Sequence, residues 1–599
     1  MGGLTQAIQN GLSGMRAAGA ITSNCAANIG NATNEGYTKK TVALTTQLMG
    51  SVSAQLPIRQ VDELKLSNLR EQVSDVSFYN AKQTYFEQIQ HSLGNPSDKN
   101  SMTESLATLS KSLNTLATSP STPNNESRVI EVAGAVADRI SSFANFVQLT
   151  RSRVDQQLSI SVQEAYTNLQ TIADFNKKIV IAQSHGQPIG DYQDQRDIAL
   201  KSLAGKMNIT TSIEDTGAVF VYSESSRSLI DHNGVSKVLS YTPTTVIDAN
   251  TFYPTSINPI LFDGFDITRE IAGGEIGGLI SMRDVELPNL QADLDELTIQ
   301  LRDNLNTIHN RGTGLKAQKV LMGERVSLNP TVDTFQGSGT LRLAVINNQT
   351  HEFVEEKTID LTAMGPVTMD VFMNTVAAGL NNVDASFDNN RLKLEINNFD
   401  PANQANYGIA FVSLSDPEAT ESTTGLNIGT YFGWNNLFTT GTQITGDGSS
   451  KIGIAERLAV RSDIVSDHSL LSRGTLSKTI PLPTKAIEAG DGSTAVAMSR
   501  AFTTNILPSA TPNVPQRSQT LLDFSSSIIA VNSYKLDSLS KNYATQEEIL
   551  AQMESQIGSE TAVNFTEEMT KMLQTQILFN MSGQIVKNAS EMLDRLTQI

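Results

Sequence analysis

The chain begins and ends with segments whose apolar residues recur at helical spacing, whereas its middle alternates like β-strands. Near the N-terminus, steps of four and three residues place a seam on one face of a helix. Its members are Leu4, Ile8, Gly11, Met15, Ala18, Thr22, Cys25 and Ile29. Most of them are small or only moderately apolar, so this helix needs tertiary packing to be stable.

The C-terminal pattern is stronger. One stripe consists of Leu578, Met581, Ile585, Ala589, Met592, Leu596 and Ile599, and a second stripe beside it consists of Met569, Met572, Phe579, Val586 and Leu593. An apolar face this broad needs more than one neighbour. The helix either packs on its own domain or lies between subunits, and a second weakly charged helix at the opposite chain end favours the subunit interface.

We therefore expect a subunit interface built from both chain ends. Its predicted residues are Leu4, Ile8, Met15, Ile29, Leu578, Met581, Ile585, Met592 and Leu596.

The helical segments between the ends are long. Apolar residues keep one helical face over 129–179, and further helices are predicted over 62–94, 101–118, 288–310 and 516–557. Long antiparallel helices are typical of a bundle. The predicted fold class is a multidomain α+β protein in which terminal and central helices form a coiled-coil-like rod with an inserted β-rich domain.

The domain organisation follows from the same patterns. Residues 1–60 and 558–599 form a predicted terminal helical domain, and 61–330 with 451–557 form an elongated helical rod with a β-rich subregion at about 205–270. Residues 331–450 hold strand patterns and asparagine-rich turns, with 14 acidic and 4 basic residues. They predict an inserted, acidic outer domain.

Composition excludes several classes of function. The net charge of −18 and the pI near 4.9 argue against a nucleic-acid partner, which needs a basic surface. No run of 18 apolar residues occurs, so no membrane insertion is expected. The N-terminus lacks the pattern of a cleaved signal peptide.

Local patterns of catalytic residues are weak. His351-Glu352 begins like a zinc-protease helix, but residue 355 is Glu instead of His. Cys25 has no nearby histidine and is expected to be a buried spectator. Gly273–Gly278 does not match a phosphate-binding loop. We expect no catalytic, cofactor-binding or metal site and no cofactor. An enzyme carried on the inserted domain stays as a rival hypothesis.

Four stretches carry a resemblance to a known family. They are Gly11-Leu12-Ser13-Gly14-Met15 with Asn28-Ile29 and Asn34-Glu35-Gly36-Tyr37-Thr38; Tyr192-Gln193-Asp194-Gln195-Arg196-Asp197; Gly273-Gly274-Glu275-Ile276-Gly277-Gly278-Leu279 with Arg283-Asp284, Leu294-Asp295 and Asn306-Thr307-Ile308-His309; and Ala562-Val563-Asn564-Phe565-Thr566-Glu567-Glu568. In this order they resemble the family of flagellar hook-associated protein 1. The first stretch alone is similar to all axial flagellar proteins, so hook protein and flagellin are the nearest alternatives.

The resemblance implies a structural adaptor between the hook and the filament of the bacterial flagellum. It implies secretion through the flagellar type III apparatus without a cleaved signal peptide, and an extracellular place at the hook–filament junction. The implied partners are its own subunits in an axial ring or tube, the hook protein, a second hook-associated junction protein, and an export chaperone at the C-terminus. The Asp194, Arg196 and Asp197 cluster, with Lys201 one turn further on, is expected to form ion pairs on a helix surface.

Overall fold

The computed structural model describes residues 2–34, 36–235, 237–327, 329–399, 403–441, 451–479 and 484–597. Long helices lie at both ends and in the first half of the chain. The α-helices are α1 Gly2–Gly30, α2 Glu63–Leu93, α3 Met102–Thr118, α4 Pro123–Ser184, α5 Gly190–Lys206, α6 Gly274–Ser281, α7 Leu287–His309, α8 Leu361–Met364, α9 Met369–Ala377, α10 Ile428–Phe432, α11 Ser462–Ser466, α12 Ser493–Ala501, α13 Leu521–Thr561 and α14 Phe565–Thr597.

Helix α4 organises the helical rod. Its 62 residues span about 90 Å, and Pro123 occupies the first turn, where its missing N–H costs nothing. Buried apolar residues recur along its length from Val129 to Ile179. Helices α3, α5 and α7 pack against α4, and α13 packs against α2. One apolar core runs through these helices and also includes residues of short strands, such as Val221 and Phe262. The fold is therefore a mixed α+β structure with long helices.

The strands are short and antiparallel. They form separate small sheets: β1 Lys40–Thr41 with β4 Ile58–Arg59; β2 Leu44–Thr46 with β3 Val52–Ala54; β5 Ile209–Ile213, β6 Val219–Ser223 and β7 Ser228–Ile230; β8 Leu239–Ser240, β9 Leu261–Phe262 and β10 Phe265–Asp266; β11 Val320–Val326, β18 Arg391–Ile396 and β17 Val383–Asp388; β15 Glu352–Asp360, β14 Thr340–Asn347 and β19 Tyr407–Ser413; β12 Thr334–Phe335 with β16 Val367–Thr368; β13 Gly337–Ser338 with β20 Thr420–Glu421; and β21 Phe438–Thr439 with β22 Ala459–Val460.

The β-rich unit has its own apolar core. Its centre is aromatic: Phe432 stacks on Phe372 and Trp434, and Phe335 packs at a tilt against Phe372. The residues of this core run from Leu321 to Trp434. The predicted bounds of 331–450 are therefore wrong at both edges. Strand β11 lies before them and pairs with β18, whereas Leu437 and Phe438 lie inside them but are buried in the helical core. Residues 442–450 lie outside the described residues.

The two ends of the chain come together. Helices α1 and α14 pack along each other and run antiparallel, because Gly11 faces Val586 while Asn28 contacts Glu568. In sequence, the small sheets β1–β4 and β2–β3 follow α1 and precede α2, the first helix of the rod. No helix among the described residues has the length and apolar character needed to cross a membrane.

Candidate assembly interface at the chain termini

Small residues let the two terminal helices approach closely. A Cβ added at Gly11 would lie 2.6 Å from Val586 Cγ2 and 3.0 Å from the Ser582 carbonyl oxygen. A Cβ at Gly14 would lie 2.7 Å from Ser582 Oγ. Such distances are too short for a real side chain, so the glycines set the separation of the helices. Gly11 of the N-terminal seam and the nearby Gly14 therefore face α14.

The predicted interface residues lie around this helix pair at different depths. Leu4, Ile8, Met15 and Ile29 are half-buried. The C-terminal residues are exposed, with exposed fractions of 41% for Leu578, 62% for Met581, 50% for Ile585, 56% for Met592 and 52% for Leu596. We call these five residues the outer stripe. Ile599, which continued the pattern, lies outside the described residues.

Two residues of the second stripe of α14, Met572 and Val586, face α1, whereas Met569 and Phe579 are 37% and 44% exposed. Val586 contacts α1 at Gly11, and Met572 packs on a small apolar cluster of Ile21, Cys25 and Val42. The helix thus has two apolar faces. The first face is partly covered by α1. The outer stripe stays at least 41% exposed at each of its five residues.

Cys25 belongs to the covered side. Its side chain is buried. Burial, and to a smaller degree a hydrogen bond with Glu568, raises the pKa of the thiol to about 11. A thiol with that pKa stays protonated at neutral pH and is a poor nucleophile. The chemistry of this position agrees with a spectator role.

Asn28 is a polar hub between the termini. Its Nδ2 donates to the Lys40 carbonyl oxygen at 2.9 Å and to Glu568 Oε2 at 3.0 Å. Its Oδ1 accepts from the Tyr37 hydroxyl at 2.9 Å and from the Lys40 backbone N–H at 3.2 Å. All four bonding positions of the buried amide are used, so this side chain joins α1, the following loop and α14.

Lys39 adds charge to the same junction. Its Nζ lies 2.8 Å from Glu567 Oε1 and 3.8 Å from Glu568 Oε1. Its backbone N–H donates to the carbonyl oxygen of Thr561 at 2.8 Å. The hydrogen bond from Lys39 lowers the pKa of Glu567. The loop after α1 is thereby tied to the start of α14.

Asp194 connects this loop to the rod. The buried carboxylate lies 2.7 Å from Lys40 Nζ and 3.1 Å from Arg59 Nη1, and it accepts a bond of 2.6 Å from Thr38 Oγ1. Burial lowers the pKa of Lys40, but hydrogen bonds with Asp191 and Asp194 outweigh it, so the pKa is raised overall. We use the name terminal anchor for the residues that make these contacts: Asn28, Lys39, Lys40, Arg59, Asp194 and Glu568.

The expectation of ion pairs on the surface of one helix is wrong. Asp194 and Arg196 are buried, and Arg196 donates to the Gly217 carbonyl oxygen at 2.7 Å. Asp197 pairs with Arg59 at 2.7 Å and Lys201 with Glu554 at 2.6 Å. These charges hold separate segments together, because their partners come from the loop after α1, the β-subregion and α13.

The glycine-rich stretch that starts α6 is a packing element. Gly274 has a φ of +68°, and a Cβ there would lie 2.5 Å from the Lys206 carbonyl carbon. The side chains of Ile276 and Leu279 are buried in the helical core. The stretch allows α6 to pass close to the end of α5.

Sequence reasoning missed most of the terminal anchor. Asn28, Lys39, Lys40, Arg59 and Glu568 act across large sequence separations, which local spacing does not reveal. Asn28 and Glu568 do lie inside the quoted family motifs, and that is the one signal that singled them out. Among the described residues, no group of three or more His, Cys, Asp or Glu side chains could hold a metal ion.

Comparison with known proteins agrees with this description. The family model for the C-terminal region of the flagellar basal body rod FlgEFG proteins matches residues 559–599. The matched stretch contains α14, so this similarity lies in the helix that packs against α1. The family model for the helical domain of the flagellar hook-associated protein FlgK matches residues 86–321. Both matches show similarity to flagellar hook-associated and basal body rod proteins, over the helical rod and the C-terminal helix.

Individual relatives are distant. The flagellar hook-associated protein 1 of Salmonella typhimurium strain LT2 is 22% identical over 325 residues, which cover 52% of this chain and 57% of the relative. That of Escherichia coli K12 is 21% identical over 329 residues, which cover 52% and 58%. The chain thus spans little more than half the length of the curated relatives it matches.

One solved structure is also similar. The flagellar hook junction protein FlgK from Burkholderia pseudomallei aligns with a TM-score of 0.44 and 14% identity, covering 82% of this chain and 99% of that one.

Proposed function

We propose that this chain is a structural adaptor between the hook and the filament of a bacterial flagellum, and that it assembles through its terminal helices. The observation that carries the proposal is the outer stripe. Helix α14 covers one apolar face against α1 and leaves a second one, from Leu578 to Leu596, at least 41% exposed at each of its five residues. In an assembly this second face becomes a contact between copies.

The proposed layers follow from composition and packing. The terminal helices form an inner coiled-coil tube, the helical rod forms the next layer, and the β-rich unit lies outside. Residues 331–450 carry a net charge of −10, which suits a solvent-facing position. The weakly charged terminal helices suit a position between subunits.

The same proposal includes secretion and partners. The chain leaves the cell unfolded through the flagellar type III apparatus and acts outside the cell. Its partners are its own subunits in a ring or tube, the hook protein, a second hook-associated junction protein, and an export chaperone that binds the C-terminal helix. Its role is structural and not enzymatic, as the names of its curated relatives suggest.

A charge on the outer stripe tests the proposal. Ile585→Asp places a carboxylate on an exposed face, so the monomer should fold normally, while the assembled contact loses several kcal/mol. In cells whose sole copy carries this change, hooks should form and filament subunits should escape into the medium. Gln576→Asp adds the same charge to an exposed polar position of α14 and should leave filaments intact.

Secretion of the variant separates two causes of failure. A secreted but unassembled Ile585→Asp protein places the defect in the subunit contact, whereas a protein retained in the cell places it in export or chaperone binding. Normal filaments with Ile585→Asp would contradict the assembly role of the outer stripe.

A further inference from the structure

The hairpin formed by β2 and β3 carries no charged residue. No Asp, Glu, Lys or Arg occurs from residue 41 to residue 58. Exposed sheet edges usually carry charged residues, which prevent pairing with other chains. Lys40 and Arg59, the flanking cations, are both engaged with Asp194. The hairpin therefore offers a partner an uncharged surface.

The tip of the hairpin, formed by Leu48 and Met49, is the most exposed apolar part of this surface. Leu48 is 94% exposed and Met49 is 79% exposed. Leu44, Leu56 and Ile58, at 43%, 47% and 61%, continue the apolar surface along the hairpin. A side chain as exposed as Leu48 is not covered by its own α14. These residues lose contact with water only if another molecule covers them.

The tip is held in place. The amides of Gln6 and Asn10 on α1 donate to the Met49 carbonyl oxygen at 3.1 and 3.2 Å, and Ser13 Oγ accepts from the Val52 N–H at 3.1 Å. Met49 itself has a φ of +68°, a left-handed conformation that is unfavourable for a residue other than glycine. Strain of this kind marks sites whose shape serves a contact, and a fixed tip loses little entropy on docking.

The tip and the outer stripe lie at the same level along the helix pair. Asn10 holds the tip, and the next residue, Gly11, faces Val586 on α14. The exposed Ile585 lies beside Val586, on the uncovered side of α14. Two copies placed side by side therefore bring the tip of one to the height of the outer stripe of the other.

We infer that the Leu48–Met49 tip of one copy docks against the outer stripe of α14 of a second copy of this chain, near Ile585. The inference rests on the proposed function. It adds which surface of a neighbouring copy covers the outer stripe. The contact joins two different patches, so each copy offers one and accepts one, and the arrangement repeats as a ring or tube.

Paired cysteines test this contact in assembled flagella. The variant combines Cys25→Ser, which removes the native thiol, with Leu48→Cys and Ile585→Cys. Oxidation of isolated flagella from cells that carry it should give a ladder of covalent multimers, because every copy holds both halves of the contact. The matched proteins carry Cys25→Ser with Leu48→Cys alone or Ile585→Cys alone. They should give no species beyond a dimer. Monomers or dimers only from the paired variant would overturn the inference.

A second arm weakens the tip without new thiols. Leu48→Ser with Met49→Ser should leave the circular dichroism spectrum unchanged and reduce the protein retained on flagella by about tenfold or more. Val246→Ser, at a 69% exposed residue of the rod, is the control and should have no effect. If the tip variant assembles normally while Ile585→Asp does not, the docking inference fails and the proposed function stands. If Ile585→Asp also assembles normally, both fail.

Discussion

Asn28 and Glu568 lie 540 positions apart in the chain, yet the amide Nδ2 of the first donates a bond of 3.0 Å to the carboxylate of the second. Both side chains are buried. The Asn28 amide also bonds to the loop after α1 through both its nitrogen and its oxygen. The Asn28 side chain therefore connects α1, the loop after it and the final helix α14.

Asn28→Ala should release the terminal helices. The change leaves buried partners without hydrogen bonds, which costs about 3 kcal/mol. Amide hydrogen exchange in α1 should then speed up by about 100-fold. Asn31→Ala is the control, because the Asn31 amide, just after the end of α1, makes only local, exposed hydrogen bonds, with Ala27 and Asn34. Equal exchange in the two variants would show that the anchor does not hold α1.

Two glycines of α1 should respond to alanine with opposite signs. Gly19→Ala meets no atom within 4 Å and should stabilise the helix by up to about 1 kcal/mol. Gly11→Ala places its Cβ 2.6 Å from Val586 Cγ2 and should destabilise the helix pair by about 1–3 kcal/mol. Hydrogen exchange of α14 amides reports the difference. Stabilisation by both changes would contradict the close approach at Gly11.

Asp194→Asn should loosen the loop after α1. It leaves the buried Lys40 and Arg59 cations without this partner, which costs about 3–5 kcal/mol. Trypsin should then cut after Lys40 and Arg59 in the folded protein. Asp191→Asn is matched, since Asp191 also pairs with Lys40 but has an 83% exposed side chain, and should cost under about 1 kcal/mol. Resistance to trypsin in the Asp194 variant would refute the anchor.

His309 should make the stability of the rod sensitive to acid. Burial lowers the pKa of this imidazole to about 4, and its Nε2 accepts from the Ser472 N–H at 2.9 Å. A folded-state pKa below the unfolded value of about 6.5 gives stability that is complete above pH 6.5 and falls as the pH drops towards 4. The loss by pH 4 should approach about 3 kcal/mol.

Urea unfolding at pH 7 and pH 4.5 measures this loss. His309→Gln should flatten the pH dependence relative to the unchanged protein, whereas His91→Gln, at an exposed position, should not. An unchanged slope in His309→Gln would mean that other groups cause the acid sensitivity.

The β-rich unit should be removable at its structural bounds. Gln318 Nε2 donates to Asn435 Oδ1 at 2.8 Å, so a short Gly/Ser linker can replace 319–434. That protein should keep the helical circular dichroism of the rod. Replacing 331–450 instead should give an unstable protein, because it removes the buried Leu437 and Phe438 and leaves β11 unpaired. Equal stability of the two deletions would contradict these bounds.

The helices were predictable because their signal is local. The apolar face of α4 repeats every three to four residues, and the structure keeps it as one helix from residue 123 to residue 184. Strand β11 was missed because it contains Gly323 and pairs with β18 some 70 residues later. The role of Asp194 was missed for the same physical reason. Its partner Lys40 lies 154 positions earlier, and no local spacing records such a pairing.

The terminal anchor also has a consequence for the order of synthesis. A ribosome makes α1 first, but the carboxylates that bind Asn28 and Lys39 belong to residues 567 and 568. Until those residues are added, α1 lacks its polar partners and its partner helix. The terminal anchor therefore closes only after residues 567 and 568 have been added, so the contacts that hold α1 form late in synthesis.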